Sequence, residues 1–444
     1  MDIETKNEIN RVFQLQKKHQ KVMRSTTAEQ RKAKLNRFLE VVVAHEEEII
    51  EAVRQDVRKP HHEVKRAEIL GTIKSIQDNI NNLDEWMAPK EVGSSLNPDA
   101  KGYLMYESKG TCLVLGPWNY PFMLTMAPLA AAIAAGNCAI IKLSDFTMKT
   151  SNIATKIIRE AFDESEVAIF EGDVDVATEL LEQPFDHIFF TGSTNVGKIV
   201  MTAAAKHLSS VTLELGGKSP TIIDEGYDLL DAAKKIAVGK FVNAGQTCVA
   251  PDYLFIKEDR QAEFTNHLQA IVQAGFLMED GTADRNKFTQ IVNERNFNRV
   301  KALFDDAIEQ GAEVVFGGQF DLSDRTISPT VLKNVTHDMK IMQEEIFAPI
   351  LPLLTYEELD EVIDSINESD KPLALYVFSS NQEVIDEVLT HTTSGNASVN
   401  DVVVHFTDYN LPFGGVNTSG IGSYHGIYGF KAFSHEKGVF VQAK

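Results

Sequence analysis

From Thr111 onward the chain alternates short apolar runs with segments of helical period, and this alternation restricts the fold more than any other feature. Strands are expected at 111–115, 139–142, 167–170 and 187–190. The helices that follow them are an apolar one ending near Gly136, then 151–162, 175–181 and 196–207. Repeated βα units of this size build a parallel sheet covered on both faces, with ligands at the carboxyl ends of its strands. A second series begins near Ser219, with helices at 229–242, 262–273 and 297–310 and strands at 253–256, 313–316, 351–355 and 375–378. At 444 residues the chain is too long for one core. The expectation is an α/β protein with two doubly wound parallel-sheet domains.

Residues 5–88 read as helix almost throughout. Thr27-Ala28-Glu29-Gln30 has the form of a capping box, and apolar residues then recur at helical spacing until Pro60 ends that helix. No chemistry is assigned to this region, and its charges read as a solvated face. Between Gly93 and Gly110 lies a polar crossing that contains the alternating piece Tyr103-Leu104-Met105-Tyr106, which must find its partner elsewhere. The C-terminal run Gly438-Val439-Phe440-Val441 is a second isolated strand. Separated strands of this kind imply a small bridging sheet and an oligomer. The expected division is 1–95 with 110–216, then 217–430, with 96–109 and 431–444 as the bridging pieces.

Several classes of function are excluded at this level. A formal net charge of −21 argues against a nucleic-acid surface and does not favour anionic membranes. The N-terminus lacks the apolar core and cleavage site of a signal peptide, and the longest apolar run, 123–135, is too short to span a bilayer. Cys112, Cys138 and Cys248 show no CxxC spacing, so neither a zinc site nor a disulfide framework is implied. Cys112 and Cys138 open apolar runs and read as packed side chains. A cytoplasmic protein without bound metal is the expectation.

Cys248 is different. It lies in Phe241-Val-Asn-Ala-Gly-Gln-Thr-Cys-Val-Ala-Pro-Asp-Tyr253, an irregular loop between a helix and a strand, where backbone amides are free and a substrate can reach sulfur. A cysteine taken alone is more often a small buried hydrophobe. Other stretches carry similar alternatives. Glu214 ends an alternating run beside Gly216 and Gly217, and is either a mobile general base or a salt-bridged acid. Asn119, in Trp118-Asn119-Tyr120-Pro121, is either a helix N-cap or a neutral donor to an oxyanion. Phe189-Phe-Thr-Gly-Ser-Thr-Asn-Val-Gly-Lys198 joins a strand to a helix N-terminus suited to phosphate. It matches GxxxxGK but continues with Ile199, so the hydroxyl that a nucleotide hydrolase needs for magnesium is missing. Lys142 and Asp145 end another strand, and Glu345 and Phe347 share one turn.

Taken together, PWNYP, IIKLSD, FFTGSTNVGK, LELGGKSP, NAGQTCVAPDY, MQEEIFAP and LPFGGVNTSGIGSYHG resemble the aldehyde dehydrogenase superfamily. The likeness is to its class 3 branch of fatty and aromatic aldehyde dehydrogenases and their bacterial relatives, and covers essentially the whole chain. It implies a Rossmann-like cofactor domain, a catalytic domain and a bridging sheet, in a homodimer or higher homo-oligomer. It implies Cys248 as nucleophile, Asn119 and the Cys248 N–H as oxyanion donors, and Glu214 as general base. Trp118, Lys142, Asp145, Gly192, Ser193, Gly197, Glu345 and Phe347 become cofactor residues, and Tyr120 and Met123 walls of the aldehyde channel.

Departures from the pattern shape the expectation. KLSD replaces the usual KPSE, so the acid at Asp145 is one methylene shorter and NADP is expected to be accepted beside NAD. IFAP replaces IFGP, putting a methyl at Ala348. Tyr424 stands where larger classes carry a second acid, and no long apolar tail follows before Lys444, so the expected protein is soluble. The rivals are a CoA-acylating aldehyde dehydrogenase, disfavoured by Glu214, a P-loop hydrolase, disfavoured by Ile199, and a non-catalytic NAD-binding protein.

Overall fold

Two parallel-rich sheets organise the computed structural model, which describes residues 1–442. The first runs in the order Gly420–Ile421, Ser210–Glu214, His187–Thr191, Thr111–Leu115, Cys138–Lys142, Val167–Ile169. Its neighbours are parallel except at the Gly420–Ile421 edge. Thr111–Leu115, Cys138–Lys142 and His187–Thr191 are buried along their whole length, as central strands covered on both faces must be. Side chains alternate between two cores: Leu113, Leu115, Ile188, Phe190 and Leu213 pack with Ile9, Val12 and Phe13 of the first helix. Cys112, Val114, Ile141 and Phe189 face the helices on the other side.

The second sheet runs Glu313–Phe316, Thr330–Lys333, Ile350–Thr355, Tyr253–Ile256, Pro220–Ile223, Ala374–Phe378, Asn396–Val399. Only Glu313–Phe316 is antiparallel. The helices Leu229–Phe241, Glu258–Phe276 and Glu294–Glu309 fall where helical spacing puts them. Thr330–Lys333 and Asn396–Val399 were not foreseen. Both are four residues long, and Asn396–Val399 carries no apolar run. Residues Gly420–Ile421, expected with this second body, instead extend the first sheet beside Glu214.

The N-terminal region is helical as expected but divides differently. Helices span Ile3–Arg24, Ala28–Ala44 and Glu46–Val57, and the Thr27–Gln30 capping box is formed. The single helix expected from Thr27 to Pro60 is broken at His45 and ends at Val57, with Arg58 in the left-handed region. Three glutamates, Glu46 to Glu48, favour a fresh N-terminus there by meeting its dipole. His45 ties the corner to Glu48 and Glu160. A short helix, His61–Glu63, passes through a π segment, Val64–Leu70, into Gly71–Met87. The charges here are not all solvated, a second correction: Lys59, Glu63 and Glu68 are buried.

The two isolated strands pair with each other. Ser434–Val441 runs antiparallel to Lys101–Ser108, from Ser434 opposite Ser108 to Val441 opposite Lys101, and Lys90–Glu91 completes a small sheet. Ala443 and Lys444, part of the expected bridging piece, lie outside the described residues. No helix of the described residues is long and apolar enough to cross a membrane.

Glu63 joins this N-terminal region to the rest by accepting the Asn243 N–H at 3.1 Å. Burial lifts its carboxyl from 4.5 to about 7, against the pull of that N–H and of Lys59. Ionising it is harder in the fold than in the unfolded chain, so its contribution is intact below about pH 4.5 and lost as pH rises through about 7. Glu63→Gln lacks that loss. Its melting temperature relative to wild type is expected to climb between about pH 5 and pH 8, and thermal melts across that range that show a flat or falling difference would contradict the assignment.

Candidate active site

The two sheets present opposite ends to one region. The first offers carboxyl ends: Trp118, Asn119 and Tyr120 follow Thr111–Leu115, Lys142 ends Cys138–Lys142, and Glu214 ends Ser210–Glu214. The second offers amino ends: Gly217 precedes Pro220–Ile223, Cys248 precedes Tyr253–Ile256, and Glu345 and Phe347 precede Ile350–Thr355.

The loop that carries Cys248 is tightly held. After helix Leu229–Phe241 a short 3-10 turn, Val242–Gly245, has Asn243, Ala244 and Gly245 all at positive φ. The Gln246 side chain donates to the Asn243 carbonyl at 3.0 Å and accepts the Val292 N–H at 3.0 Å. The Tyr376 hydroxyl donates to the Val249 carbonyl at 2.6 Å. Cys248 itself is half-buried and unpaired with another cysteine. Burial first, then the Glu345 and Glu214 charges, push its thiol up to about 12, while its own N–H and that of Val249 pull the other way. At rest the group is a neutral thiol.

Asn119 reaches this loop from the first sheet. Its side-chain nitrogen donates to the Gln246 carbonyl at 3.0 Å, two residues before Cys248. It caps no helix, because the next one begins at Met123. A carboxamide has two N–H protons, and this contact uses one of them. Tyr120 follows the same path, its hydroxyl 2.8 Å from the Thr247 hydroxyl. Met123, Leu124 and Ala127 form an apolar cluster with Tyr120 and Phe406 alongside.

Glu214 is buried, and among the described residues neither carboxylate oxygen has a hydrogen-bond partner. Burial holds its carboxyl well above the ordinary range. The glycines after it also make room for close packing. A Cβ on Gly216 would collide with the Glu345 carboxylate, and one on Gly217 would meet the backbone at Pro372 and Leu373. Glu345 is raised to about 8 by burial and by Asp252, and lowered in part by the Gly217 N–H. Arg299 fixes its turn by donating to the Glu345 and Ile346 carbonyls at 3.0 and 2.7 Å. Phe347, at φ 51°, meets the Trp118 ring edge-on at 5.3 Å.

The other candidates line the carboxyl edge of the first sheet. Lys142 is buried, donates to the Leu143 carbonyl at 2.9 Å and is held below its usual pKa by desolvation, whereas Asp145 is exposed. Ser193 caps helix Thr194–Ala205. Gly197 is buried on that helix against Leu215, so it sets how closely the helix approaches the sheet. Beside this helix N-terminus the buried Thr191 hydroxyl lacks a partner among the described residues. An exposed helix N-terminus, an orphan hydroxyl and a carboxylate seated over glycine fit a dinucleotide with a diphosphate and ribose hydroxyls.

Sequence reasoning missed the residues that hold these parts together. Lys218 pairs with Asp252 and donates to the Ile341 and Glu344 carbonyls, and Asp252 accepts the Ile346 N–H. Lys59 and Glu68 lie behind Asn119. Lys218 sits in the GGK of a recognised motif, but nothing in the helical N-terminus marked Lys59 or Glu68 as buried.

Fold and site define a two-sheet α/β protein with a thiol, a carboxamide and a carboxyl converging between its sheets. The family model described as "Aldehyde dehydrogenase family" matches residues 2–439, and the chain belongs to that family, on its class 3-like side. It is 78% identical over 443 residues to the Bacillus subtilis (strain 168) protein named "Putative aldehyde dehydrogenase AldX", covering 100% of both chains. It is 43% identical over 398 residues to aldehyde dehydrogenase family 3 member A2 of Mus musculus, covering 89% of this chain and 81% of that one. The substrate-bound Staphylococcus aureus AldH structure superposes with a TM-score of 0.94 at 39% identity, covering 100% of this chain and 95% of the other.

Gly245 offers a test of the loop. At φ 69° a side chain is strained, and a Cβ would collide with the Ala348 main-chain carbonyl. Gly245→Ala is expected to cost about 1–3 kcal/mol and to slow any chemistry at Cys248. An unchanged melting curve and unchanged cysteine reactivity would contradict this account.

Proposed function

We propose that the protein oxidises aldehydes to carboxylic acids with NAD, and also NADP, as hydride acceptor. The observation that carries the reading is the Asn119 amide fixed 3.0 Å from the Gln246 carbonyl, with Cys248 on the same loop and Glu214, unpartnered among the described residues, near enough in the first sheet for its charge to act on the thiol. In this reading the Cys248 thiol first gives its proton to water, and the sulfur then bonds to the carbonyl carbon while the C=O π pair moves onto oxygen. The resulting oxyanion accepts from the second Asn119 N–H and from the Cys248 N–H, donors that lose no proton in doing so. The dinucleotide, when bound, supplies the hydride acceptor. Glu214, once ionised, takes a proton from water that cleaves the thioester on Cys248 and frees the acid.

Supporting positions follow. The edge formed by Lys142, Asp145, Gly192, Ser193 and the helix containing Gly197 would hold the adenosine and diphosphate. Glu345, Phe347 and Trp118 would hold the nicotinamide end. The apolar cluster of Tyr120, Met123, Leu124 and Phe406 suits an aldehyde with an apolar body, of medium or long aliphatic, aromatic or polyene type. We place the protein in the cytoplasm, and as a homodimer or higher homo-oligomer because, among the described residues, the outer edge of Ser434–Val441 is unpaired and Phe440 and Val441 are exposed. The division into a cofactor domain, 1–95 with 110–216, and a catalytic domain, 217–430, belongs to the same reading.

Cys248→Ala is expected to abolish NADH formation while dinucleotide binding persists. Glu214→Gln is expected to give one burst of NADH and then stall with an acyl group on Cys248, visible by mass spectrometry. Wild-type turnover should rise with pH, because the raised Glu214 carboxyl is a base only when ionised. A Glu214→Gln enzyme with full steady-state rate, or product formed only when CoA is added, would refute the hydrolytic assignment. Comparable kcat/KM with NAD and NADP is expected from the shorter, exposed Asp145, and no turnover with NADP would overturn that part.

A further inference from the structure

Lys59 and Glu68 form an ion pair at 2.7 Å with both side chains fully buried. Such a pair is seldom worth more to stability than well-packed apolar side chains of the same volume. What it provides here is direction. The three Lys59 protons have distinct destinations: the Glu68 carboxylate, the Asn119 carbonyl at 2.8 Å, and the face of the Tyr120 ring, whose centroid is 4.0 Å away. The second Glu68 oxygen accepts the Phe122 and Met123 N–H groups at 3.1 and 3.0 Å, capping helix Met123–Ala134, whose own N-cap residue makes no side-chain bond.

The pair therefore grips the turn from Asn119 to Met123 at both ends. Around the Asn119 side chain the rest of the frame is rigid as well. The Asn243 amide donates to both the Asn119 carbonyl, at 3.1 Å, and the Gln246 carbonyl, at 3.0 Å, so one side chain bridges the turn and the cysteine loop. With the Asn119 main chain held by Lys59 and Asn243, and its amide held by Gln246, the remaining N–H has one direction left. We propose that the buried Lys59–Glu68 pair is the positioning device of the oxyanion site, fixing the Asn119–Met123 turn so that the Asn119 amide is aimed over Cys248. This rests on the reading of Asn119 and Cys248 above.

The test separates aim from general integrity. Lys59→Met/Glu68→Met removes both charges together and leaves none unpaired in the core. Two reactions of Cys248 are compared without dinucleotide: acylation by 4-nitrophenyl acetate, which passes through an oxyanion, and alkylation by iodoacetamide, which does not. Acylation is expected to fall on the order of 10²-fold, the scale of a misplaced catalytic group, while alkylation stays within about twofold of wild type. Lys59→Gln/Glu68→Gln, which keeps polar side chains and leaves no charge unpaired, is expected to show the same selectivity with roughly a tenfold loss. Adding Asn119→Ala to the Lys59→Met/Glu68→Met variant should cost little more, because both act through one group. Equal losses in acylation and alkylation, wild-type acylation, or multiplicative losses with Asn119→Ala would overturn the proposal. Full acylation in Asn119→Ala alone, with none in Cys248→Ala, would instead remove the oxyanion assignment beneath it.

Discussion

The main-chain carbonyl of Gln246 accepts from two carboxamides, Asn119 at 3.0 Å and Asn243 at 3.0 Å, and the site depends on that shared acceptor. One donor belongs to the turn after a strand of the first sheet, the other to the cysteine loop. Neutral amides suit the task, since they join two buried segments without the desolvation cost of charge. The charged groups lie one layer back, where Lys59 with Glu68 and Lys218 with Asp252 hold main-chain carbonyls and N–H groups in place. In both cases the ions act on backbone, so a few buried side chains fix several turns.

The opposed ends of the two sheets give the region its asymmetry. The first sheet delivers helix N-termini and glycine turns, the geometry that receives anions. The second delivers the starts of strands, with Cys248 and Glu345 on the turns leading into them. Both sheets supply groups to the region between them, Asn119 and Glu214 from the first and Cys248, Glu345 and Phe347 from the second. The glycines at 216 and 217 make the fit close rather than loose, since side chains there would strike Glu345 and the Pro372–Leu373 backbone.

Much of this was legible in the residues. Period-2 and period-3.6 patterns located most strands and helices because burial on a sheet face or helix stripe is a local property of sequence. The departures came where local pattern and tertiary environment disagree. Asn396–Val399 pairs in parallel with Ala374–Phe378 although its own residues carry no strand signal. Glu63, Lys59 and Glu68 look like the exposed charges of a surface helix, yet a π segment at Val64–Leu70 and the turn at Asn119 bury them. The positions of Cys248, Asn119 and Glu214 could be read from motifs. The link between Asn119 and the cysteine loop could not, because it runs through the Gln246 carbonyl, a main-chain atom that any residue carries.

Glu345 and Glu214 beside Cys248 have one further consequence. Burial against a low-dielectric wall, helped by the nearby Glu345 and Glu214, raises the Cys248 thiol, and protonated thiols are slow to meet peroxide or a passing disulfide. A sulfur that stayed ionised in the same place would be open to oxidants. The surroundings that oppose ionisation of this sulfur thereby also shield it from that oxidation.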